Sequence, residues 1–234
     1  MTKKSFKLEN NYLLVDKYKV LFSIKKGQYA ETYRVKTNDN QVKFLKLFSY
    51  SKLHKTQFDS EGKVLEIEIL KQLNHPNIVK FIDSGNLIID KQKYSYLVLE
   101  YISGETIAEM IKRETVINHY EAKDIIKGVL KGLEYLHNLS TLIIHNDISS
   151  LNIMLDLSKN IPTVKIIDFG YSRYLNQSHN EFNKDGLDPY FSANEIFNKI
   201  FSVQSDVFSV GALYYKLLFG IPPWYNELSR FKKD

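Results

Sequence analysis

The sequence predicts an α+β protein, an antiparallel sheet with one main helix followed by a mostly helical second half, and three observations predict it. Residues 18–48 alternate apolar and polar side chains, as strands with one buried face do. Val64, Ile67, Leu70 and Leu73 then recur at helical spacing. Beyond residue 100 helical periodicity dominates, most clearly in Ala122, Ile125, Ile126, Val129, Leu133 and Leu136, which share one core-facing side. With 234 residues and 44% apolar content, the chain can bury a sizeable core and fits one large domain or two small lobes.

In order, a strand is expected over Tyr18–Ile24, a turn over residues 25–30, a second strand over Glu31–Val35, an Asn38-Asp39-Asn40 turn and a third strand over Gln41–Phe48. A helix is expected from Glu61 and must stop before Pro76. Strands follow at Asn86–Ile89 and Tyr94–Leu99, joined by a polar turn at residues 90–93, then helices at Glu105–Ile111 and Tyr120–His137. Leu142-Ile143-Ile144 leads into a polar loop that starts at His145. Residues 171–188 are polar and aperiodic, with Tyr171, Ser172, Tyr174 and Ser178 as hydroxyls open to modification, and a last helix begins near residue 205.

Composition excludes several chemistries. The chain has no cysteine, so disulfides, thiolate catalysis and cysteine-built zinc sites are out, and a reducing cytoplasm is compatible. A net charge of +5 is spread along the chain, which suits a nucleotide or an acidic partner better than nucleic acid. The basic start has no apolar run after it and does not read as a secretory signal. The longest apolar segment, Val207–Trp224, is interrupted by Lys216 and a Gly-Ile-Pro-Pro break, so no membrane span is expected.

The chemistry concentrates in His145-Asn146-Asp147-Ile148-Ser149-Ser150-Leu151-Asn152 and in Asp168-Phe169-Gly170 after an apolar strand. Asp147 can take or orient a hydroxyl proton, while Asn152 and Asp168 offer oxygen ligands to Mg²⁺ bridging the phosphates of ATP. Acids and amides also populate loops for their own hydrogen bonding, but two such motifs in this order and separation form an arrangement that phosphoryl transfer needs.

The pair resembles the catalytic loop H-R-D-L-x-x-x-N and the D-F-G element of the eukaryotic-type Ser/Thr protein kinase family. The resemblance runs from about Tyr18 to Trp224 and implies a bilobal protein-kinase-like fold. Residues 1–17 would be an extension, 18–101 the N-lobe and 102–234 a C-lobe that is short after its helix near residue 205. It implies ATP and Mg²⁺ as cofactors, with Lys46 holding phosphates, Glu66 as its ion-pair partner, Asp147 as base, and Asn152 and Asp168 on the metal. Gly27, Ala30, Thr32, Phe44, Lys46, Glu100, Ile102 and Met154 would surround the nucleotide, with backbone groups of Glu100 and Ile102 bonding the adenine edge and Leu99 guarding the pocket behind it. His145 would be structural, packed beneath Phe169, and Asp206 would accept bonds from the catalytic-loop backbone.

Departures from the family pattern carry information too. Only the middle glycine of G-x-G-x-x-G remains, as Gly27, with Lys25 and Ala30 in the outer places. Phe44 stands where the family has alanine, Asn146 where many members have a phosphate-gripping arginine, and Ser149 where Ser/Thr-specific members have lysine. Phe191-Ser192-Ala193-Asn194-Glu195 resembles the closing Y-x-A-P-E element without its proline, and Glu195 is expected to lack the arginine partner that later helices supply. The function expected is transfer of the ATP γ-phosphate to Ser/Thr hydroxyls of a protein substrate, with a further partner or domain covering the short C-lobe. Two other readings stay open: a small-molecule kinase of the choline or aminoglycoside type, whose loop also reads His-Asn-Asp, and a weakly catalytic binding module of the same fold.

Overall fold

A computed structural model of the chain describes residues 7–27, 29–114, 117–175 and 186–226. It divides into two compact units, the first Met1–Gln72 with Lys80–Tyr101, the second Leu73–Val79 with Ile102–Asp234.

The first unit is built on six strands, β1 (Leu13–Leu14), β2 (Tyr18–Lys26), β3 (Ala30–Thr37), β4 (Val42–Ser49), β5 (Phe81–Ile89) and β6 (Gln92–Glu100), in the order β1-β2-β3-β4-β6-β5. Neighbouring strands all run antiparallel. The period of two separates their faces: Val20, Tyr33, Val35, Leu45, Leu47 and Val98 form one buried core, so Phe44 and Lys46 share the opposite face. The strand expected at 86–89 begins earlier, at Phe81, and the one expected at 94–99 begins at Gln92, leaving only Asp90 and Lys91 in the turn, both at positive φ (49° and 62°). That is the left-handed pair of a two-residue hairpin.

The helix of this unit, α1 (Leu65–Lys71), is shorter than the one expected from Glu61. Gly62 sits at φ 75°, and the Asp59 carboxylate accepts from the N–H groups of Glu61 and Lys63, so residues 59–63 form a side-chain-braced turn. Those bonds compete with helix for the same backbone. Glu66 consequently lies in the first turn, and it is buried.

The second unit begins with β7 (Gly104–Thr106), α2 (Ile107–Glu114) and the long α3 (His119–His137), capped by Asn118 through the N–H of Glu121. The helix expected from Glu105 starts two residues later, because residues 104–106 pair with β9 (Ile153–Asp156) instead. Thr106 and Glu109 then form a reciprocal cap, Glu109 N–H to Thr106 Oγ1 and Thr106 N–H to Glu109 Oε2. Strand β8 (Ile143–Ile144) precedes the polar loop, β9 and β10 (Thr163–Ile166) form a hairpin after it, and β11 (Arg173–Tyr174) returns to pair with β8. A short α4 (Asn194–Phe197) leads to α5 (Val203–Phe219), which ends on Gly220 at φ 77°.

Two contacts set where the hairpin sits. Asn77 donates its amide to the Val164 carbonyl, while the N–H of Val79 and the carbonyl of Ile166 bond at 3.0 Å, tying residues 73–79 to β10. On the other side Gly128 and Gly132 let α3 approach closely, since an added Cβ would come within 2.6 Å of Val164 and 2.7 Å of Ile166. On α5, Val207, Phe219 and, beyond it, Trp224 are exposed. Among the described residues no helix is long and apolar enough to cross a membrane.

Candidate functional site

In the first unit the register Thr32↔Lys46 and Lys46↔Leu97 fixes Lys46 on the face opposite the sheet's core. Its Nζ meets Glu66 Oε1 at 2.7 Å, with side-chain exposures of 11% and 6%. Such a shielded pair interacts more strongly than a surface one, since little water screens it. Lys43 instead reaches the exposed Gln41 amide, which settles which lysine of the strand faces Glu66. Phe44, half-buried, lies across from Arg34 and Leu99, and the Arg34 guanidinium stacks on Tyr101 at 4.5 Å.

The turn between β2 and β3 is tight. Gly27 donates its N–H to the Ala30 carbonyl, and a Cβ there would meet that oxygen at 2.9 Å, so glycine is required by close approach. Its amide is therefore committed within the hairpin. Thr32 Oγ1 braces the Lys25 backbone, accepting from its N–H and donating to its carbonyl. Glu100 gives its N–H to the Lys80 carbonyl and receives the Lys80 N–H on its carboxylate. Leu99 is buried beside it.

In the second unit the loop is held from below by Asp206, which is fully buried on α5. Its carboxylate accepts the N–H groups of His145 and Asn146, both at 2.9 Å, and lies 2.9 Å from His137 Nε2. Asn146 adopts φ 66°, a region asparagine tolerates, and donates its amide to the Tyr171 carbonyl. The buried His145 ring packs edge-on against Phe169 at 4.9 Å, as expected, and its Nδ1 accepts from the Asp147 N–H. Burial pushes the His145 pKa below the ordinary histidine range, against the opposing pull of Asp206 and Asp168.

Asp147 and Asn152 meet directly. Asn152 Nδ2 donates to Asp147 Oδ2 at 2.6 Å and to the Asp147 carbonyl at 2.9 Å. Both partners can only accept, so the amide presents nitrogen to them and has its oxygen to offer elsewhere. The Asn152 carbonyl accepts the Ile167 N–H at 2.9 Å, continuing the β9–β10 ladder to the residue before Asp168. Asp168 is exposed, sits at φ 61° and accepts the Gly170 N–H. Met154, on β9, is half-exposed, and Ile102 is buried.

The structure thus brings together Lys46 with Glu66 in one unit, and in the other Asp147 with Asn152, whose backbone bonds the residue before Asp168. One expectation changes. Ser172 is fully buried, with its hydroxyl donating to the His145 carbonyl, so it is a brace rather than an open acceptor; Ser178 lies outside the described residues. Glu195, expected to lack the arginine that later helices supply, accepts a hydrogen bond from Ser205 Oγ at 3.2 Å. The sequence reading passed over Lys216, on α5, which donates to Ser150 Oγ at 3.1 Å within the loop itself. A charge inside the apolar second half of that helix was the available signal.

Hard oxygen donors at Asn152 and Asp168 suit Mg²⁺. Among the described residues no three His, Cys, Asp or Glu side chains form a ready-made metal cage.

The protein kinase domain family matches residues 18–234. Calcium-dependent protein kinase 5 of Plasmodium falciparum is 31% identical over 223 residues, 94% of this chain and 37% of that protein. Calcium-dependent protein kinase 4 of Plasmodium berghei is 30% identical over 228 residues, 96% of this chain and 42% of the relative. A probable serine/threonine-protein kinase PknB of Bifidobacterium longum is 32% identical over 171 residues, 69% of this chain and 24% of the relative. The chain therefore spans well under half the length of these relatives.

Proposed function

The chain belongs to the protein kinase domain family, and we propose that it transfers the γ-phosphate of ATP to serine or threonine hydroxyls of a protein substrate. The observation that supports this reading is the clamp of Asn152 on Asp147, which braces the carboxylate, with the Asn152 carbonyl also bonded to the N–H of Ile167, the residue before Asp168. In this account Asp147 receives and orients the acceptor hydroxyl proton. Asn152 and Asp168 hold Mg²⁺, which when bound with ATP offsets charge developing on the transferred group. Lys46, oriented by Glu66, binds phosphate oxygens, and the Gly27 turn with Ala30 and Thr32 closes over them. Phe44, Glu100, Ile102 and Met154 contribute to the nucleotide pocket.

Ser149 leaves one phosphate-facing cation missing, and loss of one such stabiliser typically lowers the rate about 10²- to 10³-fold. A slow enzyme is expected. The clamp of Asn146 on the Tyr171 carbonyl orders the start of the following segment without a phosphate, so turnover should not wait for phosphorylation there. A cytoplasmic location, and a partner or further segment over the exposed face of α5, go with this reading.

The test is incubation with γ-³²P-ATP, Mg²⁺ and a mixed protein substrate, followed by phosphoamino-acid analysis. Label on serine and threonine is expected. Turnover confined to an amino alcohol or aminoglycoside would replace the reading with small-molecule transfer, and absence of both label and any Mg-ATP shift in melting would replace it with a binding module. A ligand at 100 times its dissociation constant should stabilise the chain by roughly 2.7 kcal/mol.

A further inference from the structure

Lys216 is a feature of the second unit that its packing does not explain. It lies within α5 among apolar and aromatic neighbours, and it is only partly exposed. Its Nζ donates to Ser150 Oγ at 3.1 Å and lies 5.3 Å from the centre of the Phe191 ring. Among the described residues it makes no ion pair. Burial pushes its pKa below the ordinary lysine range, and the carboxylate of Asp188, acting through space, pulls only partly the other way. Asp188 is itself engaged by the Tyr190 N–H.

A half-buried ammonium with a hydroxyl and a ring face for company is costly in the isolated chain, because neither replaces the hydration it gives up. A methionine or leucine would pack against Phe191 without that cost. The position of the charge is specific: Ser150 is three residues after Asp147 in the same loop, and Phe191 belongs to the turn that follows Asp188. Lys216 therefore stands between the loop that carries the reactive carboxylate and the 188–192 turn.

We propose that Lys216 is a substrate-specificity residue that receives an anionic side chain of the protein substrate, a carboxylate or a phosphorylated residue, close in sequence to the acceptor hydroxyl. This rests on the phosphotransfer reading above. The substrate anion supplies a counter-charge in direct contact, where Asp188 acts only through space, and Ser150 and Phe191 hold the ammonium in place to meet it. Leu151, 60% exposed beside Ser150, adds an apolar contact and no competing charge.

The test uses one-serine peptides that are identical except for neighbours that are neutral, glutamate, phosphoserine or arginine, with γ-³²P-ATP and Mg²⁺. For the unmodified chain kcat/KM should be roughly tenfold or more higher for the glutamate or phosphoserine peptides than for the neutral one, a difference of ~1.4 kcal/mol. Preference for phosphoserine alone would identify a previously phosphorylated substrate, and preference for both a general acidic one; either supports the proposal. Lys216→Met, which keeps the stem against Phe191, should bring the ratio of acidic to neutral peptide close to one, and Lys216→Glu should turn the preference toward arginine. Melting curves of both variants check that they fold. Equal rates on acidic and neutral peptides, or a preference that survives in Lys216→Met, overturn the proposal and leave the kinase reading standing. No label on any peptide or mixed protein overturns both.

Discussion

The carboxylate of Asp206 accepts the backbone N–H of Asn146 at 2.9 Å from beneath the loop, and the same carboxylate takes the N–H of His145. Through these two bonds α5 dictates the conformation of the loop that carries Asp147. Leaving a buried N–H without an acceptor costs about 1–3 kcal/mol, so Asp206→Ala should lower unfolding free energy by roughly 2–5 kcal/mol. Asp206→Asn, which keeps one acceptor oxygen, should lose less. Urea denaturation measures the difference, and an alanine variant as stable as the unmodified chain would contradict this role.

The Lys46–Glu66 pair should behave as a unit. Lys46→Met takes the ammonium away from a carboxylate that is 6% exposed, and Glu66→Gln leaves an ammonium facing an amide. Each single change should destabilise the chain, and the double change should cost less than their sum by about 0.5–3 kcal/mol. Additive effects in a double-mutant cycle would show that the pair does not couple.

Two glycines in helices should respond with opposite signs. Gly211 on α5 has nothing within 4 Å of an added Cβ, so Gly211→Ala should stabilise by up to about 1 kcal/mol through helix propensity. Gly128 on α3 faces the branched Val164 at 2.6 Å, and overpacking there should cost about 1–3 kcal/mol, exceeding the propensity gain. Thermal denaturation of the two variants decides it.

Stability should also depend on the protonation of His145. Its folded pKa lies below the unfolded value of 6.5, so the unfolded chain binds more protons in that window. The contribution is complete above about pH 6.5 and is lost as pH falls toward the folded pKa. His75, partly buried and also shifted downward, acts in the same direction. His145→Phe, less stable overall, should therefore show a shallower fall of Tm between neutral and mildly acidic pH than the unmodified chain. Equal slopes would remove His145 from the account.

Local patterns revealed the strands of the first unit, the helix over 119–137 and the residues of the loop, because each is written in neighbouring side chains. What they could not give depends on distant partners. Residues 104–106 form a strand only because residues 154–156 lie alongside, and no local signal in Glu105 announces that pairing. The late start of α1 was legible in retrospect, since Asp59 and Gly62 spell a braced turn, but the apolar spacing from Val64 onward masked it. Lys46 could not be separated from Lys43 until the register with Leu97 fixed its face. Lys216 read as an interruption of an apolar run, and only the fold brings it to Ser150.

The most direct test of the central claim is ³²P transfer from Mg-ATP to protein by the unmodified chain and by Asp147→Asn under identical conditions. The account predicts label on serine and threonine with the unmodified chain, and a fall of about 10²-fold or more in the variant, at the scale of a lost acid–base group. Equal labelling by the two proteins would contradict it.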